Sequence, residues 1–308
     1  MSARKKELDL LAISLMLLLC MLWGGQQSVV KLIAADMSPV LQTSLRSVIG
    51  IVLLCLFMWH QKISFALHRG PWQAGLMVGL MFTIEFWFIG EGLLLTSASH
   101  MVVFLYTAPI FTALGLHIFL PEERLSVMQW GGILVSFTGI TIAFLGGFIN
   151  QTIDTDILLG DILSLLAGFT WGLTTVVLRC TRLTTIPAAQ TTMYQLITAS
   201  IGLFIAAMFM DQLHVHWTPA VITAIIAQGV LISFFALLVW FWLLKYYMAS
   251  KLATFSFFTP IAGVMFGFWL LNEPLHTYFI FGAAMVIFGV YIVNHPRARL
   301  KIKPIVCA

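Results

Sequence analysis

Long apolar segments follow one another along the whole chain, and short polar connections separate them. A helix needs about 20 apolar residues to cross the hydrocarbon region of a bilayer. By that measure, ten spans are expected near 10–31, 39–59, 72–95, 98–119, 127–148, 158–178, 187–210, 220–243, 250–271 and 277–294. The pattern therefore predicts an all-α membrane protein with ten transmembrane helices.

Composition supports lipid as the main solvent. Of the 308 residues, 60% are hydrophobic and 9% are charged, whereas an ordinary globular domain carries roughly a quarter charged residues. The first apolar run follows a basic patch, as in a secretory signal, but it continues to Val30 without a small-x-small cleavage pattern. We therefore expect a first helix that is retained.

Scattered basic residues and unpatterned cysteines exclude several function classes. The net charge of +4 comes from single basic residues between apolar segments, which form no stripe for nucleic acid. The cysteines have no CxxC spacing, so neither a disulfide framework nor a metal site is expected. These cysteines are Cys20, Cys55, Cys180 and Cys307. No cofactor motif is present, and no cofactor is expected.

The distribution of charge predicts the orientation. With a cytoplasmic N-terminus, all of the 16 basic residues except Lys31 and Arg46 fall in inner loops and tails, as the positive-inside rule requires. An even number of spans returns the C-terminus to the same side, where 295–308 forms a basic tail. We expect a multi-pass protein of the inner membrane with both termini in the cytoplasm.

Short motifs recur in the same order at offsets of 148 to 151 residues. The pairs are Trp23-Gly24 with Trp171-Gly172, Ala98-Ser99 with Ala249-Ser250, Pro109-Ile110 with Pro260-Ile261, and Leu120 and Glu122 with Leu271 and Glu273. Two five-helix repeats, 1–148 and 158–294, follow from this spacing. Because five is odd, the second repeat is expected to be inverted relative to the first.

The same residues resemble the ten-helix proteins with two EamA domains in the drug/metabolite transporter superfamily. The resemblance rests on the WGG of the first helix, on Arg46, on Thr96 to Pro109 leading to PEERL, and on Ala249 to Pro260 leading to NEPL. It implies an inner-membrane secondary carrier that works by alternating access. Such carriers commonly export amino acids or related small metabolites.

Ionisable residues within apolar spans are the first candidates for function, because each costs on the order of 3 kcal/mol at mid-membrane. Glu85 is interpreted as a proton-binding or substrate-binding carboxylate, or as a carboxyl hydrogen-bonded between helices. Glu91 is expected to line the outer mouth or to reach interfacial water. Arg46 needs an anion, which is either one of these glutamates in a fixed ion pair or the carboxylate of a substrate.

Amides and aromatic residues complete the candidate binding site. Trp23, Gln26, Gln27 and Trp171 lie at neighbouring depths in the two repeats, where they would line a cavity, although Trp-Gly pairs also serve helix packing. Further candidates are His100, Tyr106, Tyr194 and Gln195. His100 can equally be an interfacial residue.

Repeated prolines and glutamates have structural interpretations as well. Pro109 and Pro260 are expected in mid-span, as hinges or as static kinks. Glu122 and Glu273 follow the fourth and ninth spans and are expected to organise loops.

Secondary transport of an amino-acid-like solute, driven by protons or another gradient, is the leading expectation. No GxxxxGK[ST] loop is present, so ATP hydrolysis by that route is excluded. Efflux of hydrophobic cations is the alternative within the carriers, and a lipid-modifying enzyme is the alternative outside them, although no HExxH motif is found. The expected partners are a small solute and the bilayer, and a monomer is expected because one chain holds both repeats.

Overall fold

The computed structural model describes residues 8–65, 70–96, 98–143, 155–271 and 277–295. Within these ranges the chain is helical apart from turns and an isolated bridge between Met37 and Val215. The α-helices are α1 (Leu10–Leu32), α2 (Pro39–His60), α3 (Trp72–Leu95), α4 (Ala98–Leu105), α5 (Ala108–Phe119), α6 (Val127–Ala143), α7 (Thr155–Cys180), α8 (Ala188–Phe209), α9 (Pro219–Ala227), α10 (Leu237–Tyr246), α11 (Ala249–Phe255), α12 (Phe258–Leu271) and α13 (Thr277–Asn294).

Eight helical stretches are long and apolar enough to cross a membrane, judged by length and composition over the described residues. Two shorter apolar helices, Val127–Ala143 and Tyr278–Asn294, accompany them. Large apolar side chains such as Leu10, Trp59 and Phe209 are exposed on the outside of the bundle. Such an apolar exterior suits lipid contact, so the all-α membrane class expected from the sequence is confirmed.

Pro109 and Pro260, predicted as mid-span hinges or static kinks, each lie beside a break in the helix of their span. The span expected at 98–119 divides at Tyr106 and Thr107, and Pro109 lies in the first turn of α5. The span expected at 250–271 divides in the same way between α11 and α12, and Pro260 lies in the first turn of α12. Proline is tolerated there because the first N–H groups of a helix have no partner within it.

The two halves contact each other in reciprocal pairs. Helix α1 packs against α12, and its counterpart α7 packs against α5. Helices α6 and α13 pack antiparallel through glycines: a Cβ on Gly132 would lie 2.8 Å from the backbone oxygen of Gly289, and one on Gly139 would lie 2.7 Å from that of Gly282. Glycine is therefore required for this close approach of two backbones.

A π-helical segment, Gln228–Ala236, connects α9 to α10 without a break. The wider turn is visible where the N–H of Leu237 donates to the oxygen of Ile232. Such segments are rare and occur frequently at functional sites. Here the segment packs against α2 and brings Ile232 and Ser233 to the central cavity.

Candidate functional site

A cavity of about 90 Å³ lies among the helices. That volume exceeds the space one water molecule needs several times over. Helices α1, α2, α3, α4, α7, α8 and α10 and the π-helical segment form its walls. The sequence candidates that line it are Trp23, Gln26, Arg46, Glu85, Tyr106, Trp171 and Gln195.

Arg46 is almost completely buried, at 2% exposure. Its Cζ lies 5.0 Å from the centroid of the Phe86 ring, a cation–π distance. Its Nε and Nη1 atoms have no hydrogen-bond partner in the described part of the chain. A buried guanidinium with unused N–H donors is costly in free energy, so an anionic occupant of the cavity would stabilise it.

Glu85 contributes a carboxylate to the same cavity from α3, one helical turn from Phe82 and next to Phe86. It is 7% exposed. The fixed ion pair between Arg46 and a glutamate, one of the two alternatives from the sequence, is not formed. Within the described residues the close ion pair is between Arg179 and Glu123 instead. Arg46 and Glu85 thus line one cavity without forming an ion pair with each other.

Aromatic rings form a second wall of the cavity. Trp23 lies edge-on to Trp240 with ring centroids 5.5 Å apart, and edge-on to Trp171 at 6.5 Å. Tyr106 continues the series, 5.7 Å from Trp171. Edge-to-face packing is a favoured geometry for aromatic pairs and fixes each ring against its neighbour. This arrangement provides a rigid apolar surface beside the charged residues.

Polar groups without charge complete the lining. Gln26 and Gln195 reach the cavity from α1 and α8, and the Oε1 atom of Gln195 has no hydrogen-bond partner among the described residues. Thr174 and Thr175 donate their hydroxyl groups to carbonyls one turn back on α7, at 2.8 and 3.4 Å. Their oxygen lone pairs remain free to accept a bond from a solute.

Two of the residues predicted for the site, Glu91 and Tyr194, do not line the cavity. The Oε1 atom of Glu91 accepts a hydrogen bond at 3.0 Å from Nε2 of Gln212, which lies in the connection after α8. The ring of Tyr194 packs over Gly75 on α3. Gln27 and His100 lie on α1 and α4, but their side chains are outside the described residues.

Sequence reasoning missed Trp240, Ser47, Ser233 and the two threonines of α7, all of which line the cavity. Comparison of the two repeats did not mark Trp240 as a site residue. At an offset of 151 residues its counterpart is Ile89, which also lines the cavity but carries no polar group. Thr174 and Thr175 follow Trp171 by three and four residues, so they lie on the same face of the helix, and this spacing could have identified them.

A buried ionic cluster beneath the cavity was also missed. Arg179, expected in an inner loop, is 3% exposed and pairs with Glu123. It also donates to the backbone oxygen of Leu244, which itself lines the cavity. Glu123 further accepts bonds from the N–H groups of Ala249 and Ser250, at 3.4 and 3.3 Å.

This cluster corrects two expectations about charge. Glu122, expected to organise the loop after the fourth span, is exposed, and its neighbour Glu123 has that role. Lys251, expected in an inner loop, is 3% exposed in α11. Glu273 lies outside the described residues.

Fold and cavity together define a multi-pass helical membrane protein with a polar and aromatic chamber enclosed by its helices. The chain belongs to the EamA-like transporter family, whose model matches residues 10–145 and 158–295. The resemblance seen in the sequence is thereby confirmed. Membership indicates a transporter, and therefore a small-molecule substrate and a membrane setting.

Similar proteins extend over nearly the whole chain. The uncharacterized transporter YoaV of Bacillus subtilis is 24% identical over 92% of this chain and 96% of its own length. A protein of Escherichia coli named as a probable amino-acid metabolite efflux pump is 25% identical over 90% of this chain and 93% of its own. A crystal structure superposes with a TM-score of 0.78 at 18% identity, covering 91% of this chain and 95% of that one, and shares the fold.

Proposed function

We propose that the protein exports an amino acid or a related zwitterionic metabolite, which binds in the central cavity between Arg46 and Glu85. One observation carries the proposal: a buried arginine with two unused donor atoms shares a cavity with a buried carboxylate but does not pair with it. A zwitterion would satisfy both groups, since its carboxylate can accept from Arg46 and its ammonium group can donate to Glu85. The aromatic wall would hold an apolar side chain.

Alternating access about two inverted repeats is the transport mechanism in this proposal. In this proposal the two shorter apolar helices of the described residues also cross the membrane and bring the eight longer helical stretches to ten spans. Helices α6 and α13 occupy equivalent places in the two repeats and run antiparallel, as the paired contacts of Gly132 with Gly289 and Gly139 with Gly282 indicate. Equivalent helices that run in opposite directions support an inverted second repeat.

Orientation and coupling complete the proposal. The basic loops and tails support an inner-membrane protein with both termini in the cytoplasm, and one chain with both repeats supports a monomer. Glu85 is the coupling group, because a buried carboxyl in the cavity can exchange a proton for the ammonium group of the solute. Outward transport agrees with the name of the Escherichia coli relative.

Efflux of hydrophobic cations is the second candidate, and the aromatic wall favours it. Trp23, Trp171, Trp240 and Tyr106 lie around the same cavity as Glu85, which is the composition of a cage for an organic cation. Arg46 opposes this candidate because it adds a positive charge to the cavity. The two candidates therefore differ in what Arg46 does.

Flux through purified protein in liposomes tests the proposal. Labelled amino acids and a lipophilic cation are offered under an imposed pH gradient to the native chain, to Glu85→Gln and to Glu91→Gln. We expect gradient-driven amino-acid flux that Glu85→Gln abolishes and Glu91→Gln leaves intact, because Glu91 lies outside the cavity and bonds to Gln212. Flux of the cation alone, or equal amino-acid flux in Glu85→Gln, would overturn it.

A further inference from the structure

Two histidines stand side by side in the connection between α8 and α9. His214 and His216 flank Val215, whose backbone bridges to Met37 in an antiparallel pair. Side chains two residues apart on an extended backbone point to the same side. Both imidazoles are therefore on one side of this segment, and both side chains are exposed.

The backbone beneath the two rings is fixed by the turn between α1 and α2. The N–H of His216 donates to the oxygen of Asp36 at 3.0 Å, and the hydroxyl of Ser38 donates to the oxygen of Gln212 at 3.3 Å. These bonds, with the bridge at Val215, hold the segment at both ends of the histidine pair. The rings are consequently presented by an ordered backbone.

The two rings converge through their Nε2 atoms. These nitrogens are 3.1 Å apart, and the ring centroids of His214 and His216 are 4.6 Å apart with an interplanar angle of 86°. Rings that faced each other head-on would have centroids farther apart, because each ring would extend directly away from the other. The short centroid distance means that the two rings are inclined to the line that joins the nitrogens, as two imidazoles that bind one ion beside that line would be.

This geometry is close to that of a metal chelate. Zn²⁺ binds imidazole nitrogen at about 2.0–2.1 Å in tetrahedral sites, so two nitrogen ligands of one ion lie about 3.3 Å apart. The separation of 3.1 Å is near that value. Imidazole also suits Cu²⁺ and Ni²⁺, whereas Mg²⁺ and Ca²⁺ prefer oxygen ligands.

We propose that His214 and His216 form a two-histidine site for a divalent transition-metal ion, with both Nε2 atoms as ligands and water in the remaining positions. No cluster of three or more His, Cys, Asp or Glu suited to a metal occurs in the described part of the chain. The site is therefore an exposed, exchangeable one and not a closed structural centre. It lies apart from the transport cavity, so it does not depend on the proposed function.

Metal binding would stabilise a connection that already contacts two other segments. Gln212 bonds to Glu91 on α3 and to Ser38 at the start of α2, while the histidines follow it by two and four residues. An ion held by both imidazoles would stabilise the conformation of the connection that brings the two Nε2 atoms together. Binding would thus raise the thermal stability of the native state.

Titration with Zn²⁺ and Ni²⁺ tests the site on full-length protein purified in detergent through an affinity tag that contains no histidine. We expect one saturable site per chain that is at least tenfold weaker in His214→Ala and in His216→Ala. The double variant should be no weaker than either single variant, since a chelate needs both rings. His60→Ala removes another exposed histidine and should bind like the native protein.

Two outcomes would overturn the proposal: native protein that shows no saturable binding of either ion, or histidine variants that bind as tightly as the native chain. In those cases the contact between Nε2 atoms is a hydrogen bond between neutral rings. Thermal unfolding with Zn²⁺ provides a second measurement on the same samples. The unfolding midpoint should rise in the native chain and in His60→Ala, with no rise in the double variant, while Mg²⁺ should have no effect on any of them.

Discussion

The buried ion pair of Glu123 and Arg179 should be one of the most sensitive points of the fold. Side-chain exposure is 0% for Arg179 and 2% for Glu123, so Glu123→Gln leaves a buried guanidinium without its counter-charge. Removing one partner of such a pair costs about 3–5 kcal/mol. Ser250 also donates to Glu123 through both its N–H and its hydroxyl group, which places the expected loss in the upper half of that range.

Equilibrium unfolding in mixed micelles measures this loss, and Glu122→Gln is a matched control because Glu122 is exposed. The control should change the free energy of unfolding by less than about 0.5 kcal/mol. The double variant Glu123→Gln with Arg179→Met removes both charges and should be less destabilised than the sum of the two single variants, by about 2 kcal/mol or more. Equal stability of Glu123→Gln and Glu122→Gln would refute the argument.

Three further changes have defined outcomes. Gly132→Ala should destabilise the protein by about 1–3 kcal/mol, because the added Cβ would lie 2.8 Å from a backbone oxygen of α13. Gly131→Ala should be neutral in the same unfolding assay, because a Cβ at Gly131 would have nothing within 4 Å. Trp240→Leu should weaken solute binding, measured as a higher half-saturation concentration for flux in liposomes, because it removes one ring that packs against Trp23 in the cavity wall. Cys180 is exposed, so in a Cys307→Ser background an impermeant maleimide should label it in inside-out vesicles and not in right-side-out vesicles. The reverse labelling would contradict the proposed orientation.

Hydropathy predicted the helices well because each span must satisfy its own backbone hydrogen bonds in lipid. The span expected at 39–59 corresponds to Pro39–His60, and the one expected at 220–243 corresponds to Pro219–Tyr246. The hydropathy pattern does not indicate the break at Tyr106 and Thr107, because the residues before and after the break are equally apolar. The proline nearby indicated a bend but not its exact place.

The site was only partly predictable, for a different reason. Glu85 and Arg46 are conspicuous because charge is expensive in an apolar span, and both line the cavity. Trp240 resembles any other aromatic residue in an apolar helix, and only tertiary packing brings it to Trp23. Arg179 near the end of a helix has the pattern of a surface residue, because its partner comes from a loop 56 residues earlier.

In the proposed binding mode, Arg46 and Glu85 recognise the two charges of one zwitterion. The most direct test measures binding of a labelled amino acid to the purified protein, because Glu85→Gln is expected to have no flux, and compares inhibition of this binding by the unlabelled amino acid, by its decarboxylated amine and by its deaminated acid. In the native protein the amino acid should inhibit at a concentration about 10- to 150-fold lower than the amine or the acid. The ratio follows because a hydrogen bond to a charged group contributes about 1.5–3 kcal/mol. Arg46→Gln should lose the preference over the amine, and Glu85→Gln should lose the preference over the acid. If both variants keep the native order and ratios, the two residues do not bind the solute and the account is wrong.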